Sequence, residues 1–366
     1  MMVRSITALN SFPVLGLAIG LMTHVIVLPS VLSVAGRSAW ISLMIAGSLY
    51  IIWIPLIYII IKKTGQQNLM NWLQSNSPPI VYNAIRALIL FLLFINVFVT
   101  LYTTFSWVNT NYMIQTPKYV LFIILIILCL LAALSGIKAI TIASGILFPI
   151  VCFLGFFIMI ANFKFKDYSL LFPIFEEGWA PILIGVVILS GGLLEIFLLV
   201  LLQHHIRDNI SLKFFIPICI FFVFVNFGPL IGAITEFGPA QASELVHPAY
   251  AQWRLITLGK FLNKLDFLSI YQWLSGAFIR ISLSIFIIGD LFHFKTQKRK
   301  VILLISVCLF LIIGLSLPID GPTYKIMIDH YFFSITVIGI LLVTLSIHLI
   351  LFIKGRVEKN ENAIKQ

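Results

Sequence analysis

The chain has 366 residues, 61% apolar and only 10% charged, with a mean hydropathy of +1.10. Soluble domains carry about 25% charged residues, so this chain lacks the polar surface to face water all round, and its surface must face lipid instead. The net charge of +11 does not indicate nucleic acid binding: the basic residues sit in short segments between apolar runs, the pattern that fixes membrane orientation.

A membrane-crossing helix needs about 20 apolar residues. Ten such windows occur in chain order: residues 10–34, 40–61, 81–108, 119–136, 139–162, 180–203, 212–235, 267–291, 300–318 and 330–353. They predict an all-α integral membrane fold in one transporter-like domain. Gly36-Arg37-Ser38 closes the first window and Lys62-Lys63-Thr64-Gly65 the second, while Pro78-Pro79 precedes the third. Thr116-Pro117-Lys118 and Ser135-Gly136-Ile137-Lys138 frame the fourth, and Asp320-Gly321-Pro322 follows the ninth. The first run has no A-x-A-like cleavage site, so it reads as a retained span. The one long connection, 236–266, predicts short interfacial helices. With the N-terminus cytoplasmic, the Lys and Arg excess falls on the cytoplasmic side, including Lys62, Lys63, Arg86, Lys298, Arg299, Lys300, Lys354 and Arg356. An even span number then leaves both termini cytoplasmic.

Ten spans divide as five plus five, and an odd number per half inverts the second half relative to the first, as in inverted-repeat transporters. In that architecture the first span of each half is broken near the midplane. Gly16, Gly20 and Pro29 mark such a break in span 1; Ser190, Gly191 and Gly192, followed by Glu195, mark one in span 6.

Polar groups at membrane depth are few. Glu195 is a mid-span carboxylate, costly unless paired; it is read as a contact to a ligand amine or a proton, against a structural ion pair. Gly191 and Gly192 can unwind and offer backbone N–H groups to a ligand carboxylate. Arg280 in span 8 either pairs with Glu195 or faces an aqueous vestibule. His24 lies at the span-1 break and is a candidate switch because histidine as a residue type titrates near neutral pH, against the commoner reading of hydrogen-bonded packing. Asn96, Thr100, Thr103, Thr104 and Ser106 of span 3 line a small polar cavity or bond neighbouring helices. His204, His205 and His348 read as interfacial.

Catalytic signatures are missing from the sequence. It has no G-x-x-x-x-G-K-[ST] phosphate loop, HExxH or GxSxG, and Glu176-Glu177 reads as a solvated helix start. Cys129, Cys152, Cys219 and Cys308 lie in apolar runs without metal spacing and behave as small hydrophobes. No enzyme, cofactor or metal is expected.

Three stretches together carry a resemblance. The first is Leu28-Pro29 followed by Ala35-Gly36-Arg37-Ser38-Ala39-Trp40-Ile41-Ser42. The second is Gly191-Gly192-Leu193-Leu194-Glu195. The third runs from Phe237-Gly238-Pro239 through His247-Pro248 to Phe261-Leu262-Asn263-Lys264-Leu265-Asp266, Trp273, Phe278, Arg280 and Ser282. In this order they resemble the B-subunit family of bacterial spore germinant receptors, itself similar to the amino acid–polyamine–organocation transporters. The resemblance covers roughly residues 5–355.

It implies a ten-span, five-plus-five fold with a small nutrient such as an amino acid bound between spans 1, 3, 6 and 8. The implied contacts are Gly20, Met22, Thr23, His24, Gly191, Gly192, Glu195 and Arg280. It also implies a complex with an A subunit and a C lipoprotein in the inner membrane of the dormant spore. Two departures bear on the pocket. Leu21-Met22-Thr23-His24 stands where the family has a Gly-rich stretch, and Leu194 where it has a small residue. Span 5 has no Lys between Ile140 and Ile160, which favours a sensor over a pump. A proton- or sodium-coupled amino acid transporter is the alternative.

Overall fold

The computed structural model describes residues 5–115, 118–256, 265–292, 294 and 296–364. Thr116-Pro117 and Phe261 to Lys264, named above, lie outside the described residues. Among the described residues the structure is all helical, with one isolated bridge between Ile6 and Ile206.

The helices are α1 (Ala8–Leu21), α2 (Leu28–Ala35), α3 (Ala39–Lys63), α4 (Leu69–Asn76), α5 (Pro79–Asn111), α6 (Lys118–Ser135), α7 (Ile137–Ala161) and α8 (Trp179–Leu193). There follow α9 (Leu198–Leu202), α10 (Leu212–Phe237), α11 (Pro239–Glu244), α12 (Pro248–Arg254), α13 (Leu268–Asp290), α14 (Gln297–Leu315), α15 (Gly321–Ile326) and α16 (Phe333–Ile364). Each of the ten apolar windows overlaps one of them or a joined pair. Among the described residues, seven segments are long and apolar enough to cross a membrane. One, Ala8–Lys63, is divided at Gly36, whose φ of +47° suits glycine. Val120–Ser135 is apolar but shorter, and α14 opens on Lys298, Arg299 and Lys300.

Large apolar side chains such as Ile52, Phe153, Ile160, Phe310 and Ile313 point outward. Lipid is the surrounding in which such a surface is stable, and the chain is a multi-pass membrane protein. The most enclosed segments are those of α13, 83% buried over its apolar window, and of α8 with its extension, 72% buried; α7, at 11%, faces outward. α13 is therefore the central post. It packs on α1, α5, α6 and α7, while α8 packs on α2, α3 and α16.

Both expected helix breaks exist, but neither is an unwound gap. α1 passes into a π-helical turn, Met22–Val27, before α2. Pro29 lacks the N–H that would close an α-turn onto Val25, and the Leu28 N–H reaches back five residues to Thr23 O instead. In the second half, Gly191 and Gly192 stay within α8, and the Leu194 N–H bonds Ser190 O. The irregular stretch comes just after them, a 3₁₀ turn over Leu194–Phe197 that contains Glu195. The freed N–H groups expected at Gly191-Gly192 are therefore engaged in the helix. The long connection holds α11 and α12, as its composition predicts.

Candidate functional site

Four elements bring their few polar groups to one point in the core. Arg280 of α13 is 1% exposed and Glu195 of the 3₁₀ turn is 4% exposed. The guanidinium grips the carboxylate with both forks: Nη1 donates to Oε2 at 2.5 Å and Nη2 to Oε1 at 2.7 Å. Arg280 Nε also donates to Thr100 Oγ1 at 3.0 Å and Nη1 to Ala18 O at 2.8 Å. Four of the five guanidinium protons are thus placed. Asn96 Nδ2 donates to Glu195 Oε1 at 2.6 Å, and the Thr100 hydroxyl bonds Asn96 O at 2.7 Å. α1, α5, the 3₁₀ turn and α13 are tied by charge-assisted bonds in a medium that excludes water. Of the two readings open for Arg280, the paired one is found.

The interrupted helices touch directly beside this network. A Cβ on Gly192 would lie 2.8 Å from Thr23 Cγ2 and 3.6 Å from Met22 Cγ. Met22 is fully buried and Thr23 is 1% exposed. The bulk noted in the sequence at Met22 and Thr23 fills the space between the two breaks, and a Cβ on Gly191 would meet Phe333.

His24 turns the other way. Its Nδ1 lies 2.8 Å from Gly20 O and its Nε2 3.1 Å from Val225 O of α10. Gly20 and His24 line the larger cavity, about 180 Å³, between α1, α7, α10, α12 and α13. Its polar lining includes Gln252, Ser269 and Gln272. Gln272 accepts from Trp253 Nε1 at 2.9 Å and donates to Val151 O at 3.0 Å, and Gln252 donates to Pro229 O at 2.8 Å. A second cleft, about 40 Å³, opens between α5, α9 and α16 and is lined by Asn96 and Glu195.

The eight residues singled out in the sequence therefore divide. Glu195 and Arg280 form the ion pair; Met22, Thr23, Gly191 and Gly192 form the tight junction beside it. Gly20 and His24 open on the larger cavity. Gln252 and Gln272 were missed: Gln272 is an amide inside the 267–291 window, which is a signal the sequence does carry, whereas Gln252 lies in the long connection, where nothing in its own segment marks it. Of the span-3 polar face, Asn96 and Thr100 join the ion pair. Thr104 accepts from Trp273 Nε1 at 3.1 Å, and the Trp273 ring stacks on Trp107 at 4.0 Å and 5°.

Residues 10–320 match the family model described as spore germination protein. The chain is 39% identical over 326 residues to spore germination protein XB of Bacillus anthracis, an alignment spanning 88% of this chain and 91% of that protein.

Proposed function

Since this chain belongs to the spore germination protein family, we propose that it is the membrane-integral, nutrient-sensing subunit of a spore germinant receptor. The observation that carries this reading is the buried Glu195–Arg280 pair, seated where the two interrupted helices pack. A free amino acid presents a carboxylate and an ammonium. The Arg280 fork matches the first in bidentate geometry. Glu195 and the buried Asn96 Oδ1, which has no partner, match the second.

A ligand taking both ends must part the pair. Parting it loosens the tie between α1, α5, the 3₁₀ turn and α13, and that biases the bundle toward a second arrangement. In this reading the ten helical segments thread as a five-plus-five inverted repeat with both termini cytoplasmic. The protein acts without an enzymatic step, in the spore inner membrane, alongside an A subunit and a C lipoprotein that receive the shift.

The test sets binding against uptake. The purified protein is placed in proteoliposomes with radiolabelled amino acids, and Glu195→Gln serves as control. Saturable binding without accumulation, lost in the variant, is the expected result. Accumulation driven by a proton or sodium gradient would replace this reading with a coupled amino acid transporter.

A further inference from the structure

A second polar cluster lies apart from the ion pair, at the end of the bundle that carries the N-terminal segment. A short 3₁₀ turn, Gln203–His205, follows α9, and its two histidines point the same way, with ring centroids 4.0 Å apart. Both reach the last residue of α13. His204 Nε2 lies 2.8 Å and His205 Nε2 3.1 Å from the same atom, Asp290 Oδ2. All three donor atoms fall within 4.8 Å of one another, and both histidines are buried.

We propose that His204, His205 and Asp290 form a binding site for a borderline divalent transition metal, zinc foremost. Two imidazoles and one carboxylate are the donor set such ions prefer, and harder ions such as Mg²⁺ favour oxygen-only sites. Bonds of about 2.0–2.1 Å in tetrahedral geometry set donors about 3.3 Å apart. The two His–Asp separations, 2.8 and 3.1 Å, are about 0.5 and 0.2 Å shorter than that, and all three donor atoms lie within 4.8 Å of one another, so an ion would seat between them as the donors spread to its bond lengths.

Asn68 gives an independent indication. Its Oδ1 caps α4 by accepting from the Met70 and Asn71 N–H groups at 3.0 and 3.1 Å, which fixes the amide. Its Nδ2 then faces His204 Nε2 at 3.2 Å. That ring nitrogen is asked to accept from Asn68 and to donate to Asp290 at once, and one nitrogen cannot do both. A cation held between the imidazoles and the carboxylate removes the conflict, with the Asn68 amide donating to the bound carboxylate or to a metal-bound water.

Such an ion would clamp three ends of the fold: the turn after α9, the end of α13 and, through Asn68, the start of α4. The adjacent backbone is already tied to the N-terminus, since the Ser5 N–H donates to His205 O at 2.9 Å and the Arg207 N–H to Ile6 O at 2.9 Å. The metal would thus fix the face where α1 begins.

The test uses the full chain, purified through a histidine-free tag and stripped with chelator. It is dialysed against ZnCl₂, and its metal content is measured by elemental mass spectrometry. One Zn²⁺ per chain is expected, with a raised unfolding temperature that MgCl₂ at the same concentration does not reproduce. Asp290→Asn and His205→Ala should each weaken retention at least tenfold. Zinc-edge X-ray absorption on the wild-type chain needs no variant, and should find two imidazole ligands at about 2.0–2.1 Å. Substoichiometric zinc, undiminished zinc in the Asp290→Asn chain, or an absorption spectrum without imidazole scattering would overturn the proposal and leave a hydrogen-bonded contact only.

Discussion

Gly192 and Thr23 meet where the two interrupted helices pack: a Cβ added to Gly192 would stand 2.8 Å from Thr23 Cγ2 and 3.2 Å from Val27 Cγ2. Neither neighbour can yield easily. Thr23 is β-branched and bonds Gly20 O through its hydroxyl at 3.1 Å. Gly192→Ala should therefore destabilise the chain by about 1–3 kcal/mol, the usual cost of overpacking. Gly20→Ala is the internal contrast, because its Cβ meets nothing within 4 Å; it should leave stability unchanged or slightly raised. Thermal unfolding of both variants in the same detergent decides the matter, and equal losses would refute the close approach.

The Glu195–Arg280 pair predicts strong non-additivity. Removing one partner strands a buried charge, at a cost of about 3–5 kcal/mol. Glu195→Gln and Arg280→Met should each lower stability markedly. The double variant, with no charge left to strand, should recover most of the loss. Additive single effects in a double-mutant cycle would mean the groups do not act as a pair.

How far the sequence foretold this follows from which residues had to find partners. The helices were legible because a crossing segment must run apolar for its whole length, and all ten windows overlap helices. The pairing of Glu195 with Arg280 was open to inference for a similar reason: a carboxylate and a guanidinium, each alone in an apolar run, are costly until they meet. The form of the breaks was not legible. Gly191 and Gly192 invite unwinding, yet both stay helical because Thr23, Val27 and Phe333 pack onto their bare Cα atoms. The larger cavity owes part of its polar lining to Gln252, on a short helix whose placement depends on tertiary packing. His204 and His205 looked interfacial because nothing in their own segment announces Asp290, 85 residues further on.

His247 supplies a pH dependence outside the spans. It precedes α12, its ring meets Trp273 edge-on at 5.2 Å, and its Nδ1 has no partner. Burial pushes its imidazole down to about 4. The folded value lies below that of the unfolded chain, about 6.5. Below that pH the unfolded state binds the extra proton. The stability that neutral His247 contributes is therefore full above about pH 6.5 and drains as pH falls toward 4. Wild type should lose up to about 3 kcal/mol more than His247→Gln across that window. Parallel curves in a thermal-shift series against pH would mean that His247 is solvated.

Gly20 separates the two spaces in which a ligand could sit. It lines the larger cavity beside His24, and its missing side chain leaves open space there. Gly20→Ile should place a branched side chain in that space without touching the Glu195–Arg280 pair, whose α1 contact is Ala18 O. If the nutrient reaches Glu195 by way of this cavity, or rests partly in it, Gly20→Ile should weaken ligand binding at least tenfold while unfolding temperature stays near wild type. Binding that survives Gly20→Ile but is lost in Glu195→Gln would confine the ligand to the side of α1 that faces α5 and the small cleft around Asn96. Isothermal titration on the two variants, with the amino acid that binds wild type, distinguishes the outcomes. The comparison is informative because the two substitutions lie on different elements, α1 and the 3₁₀ turn after α8, and alter different things, volume in the first and charge in the second.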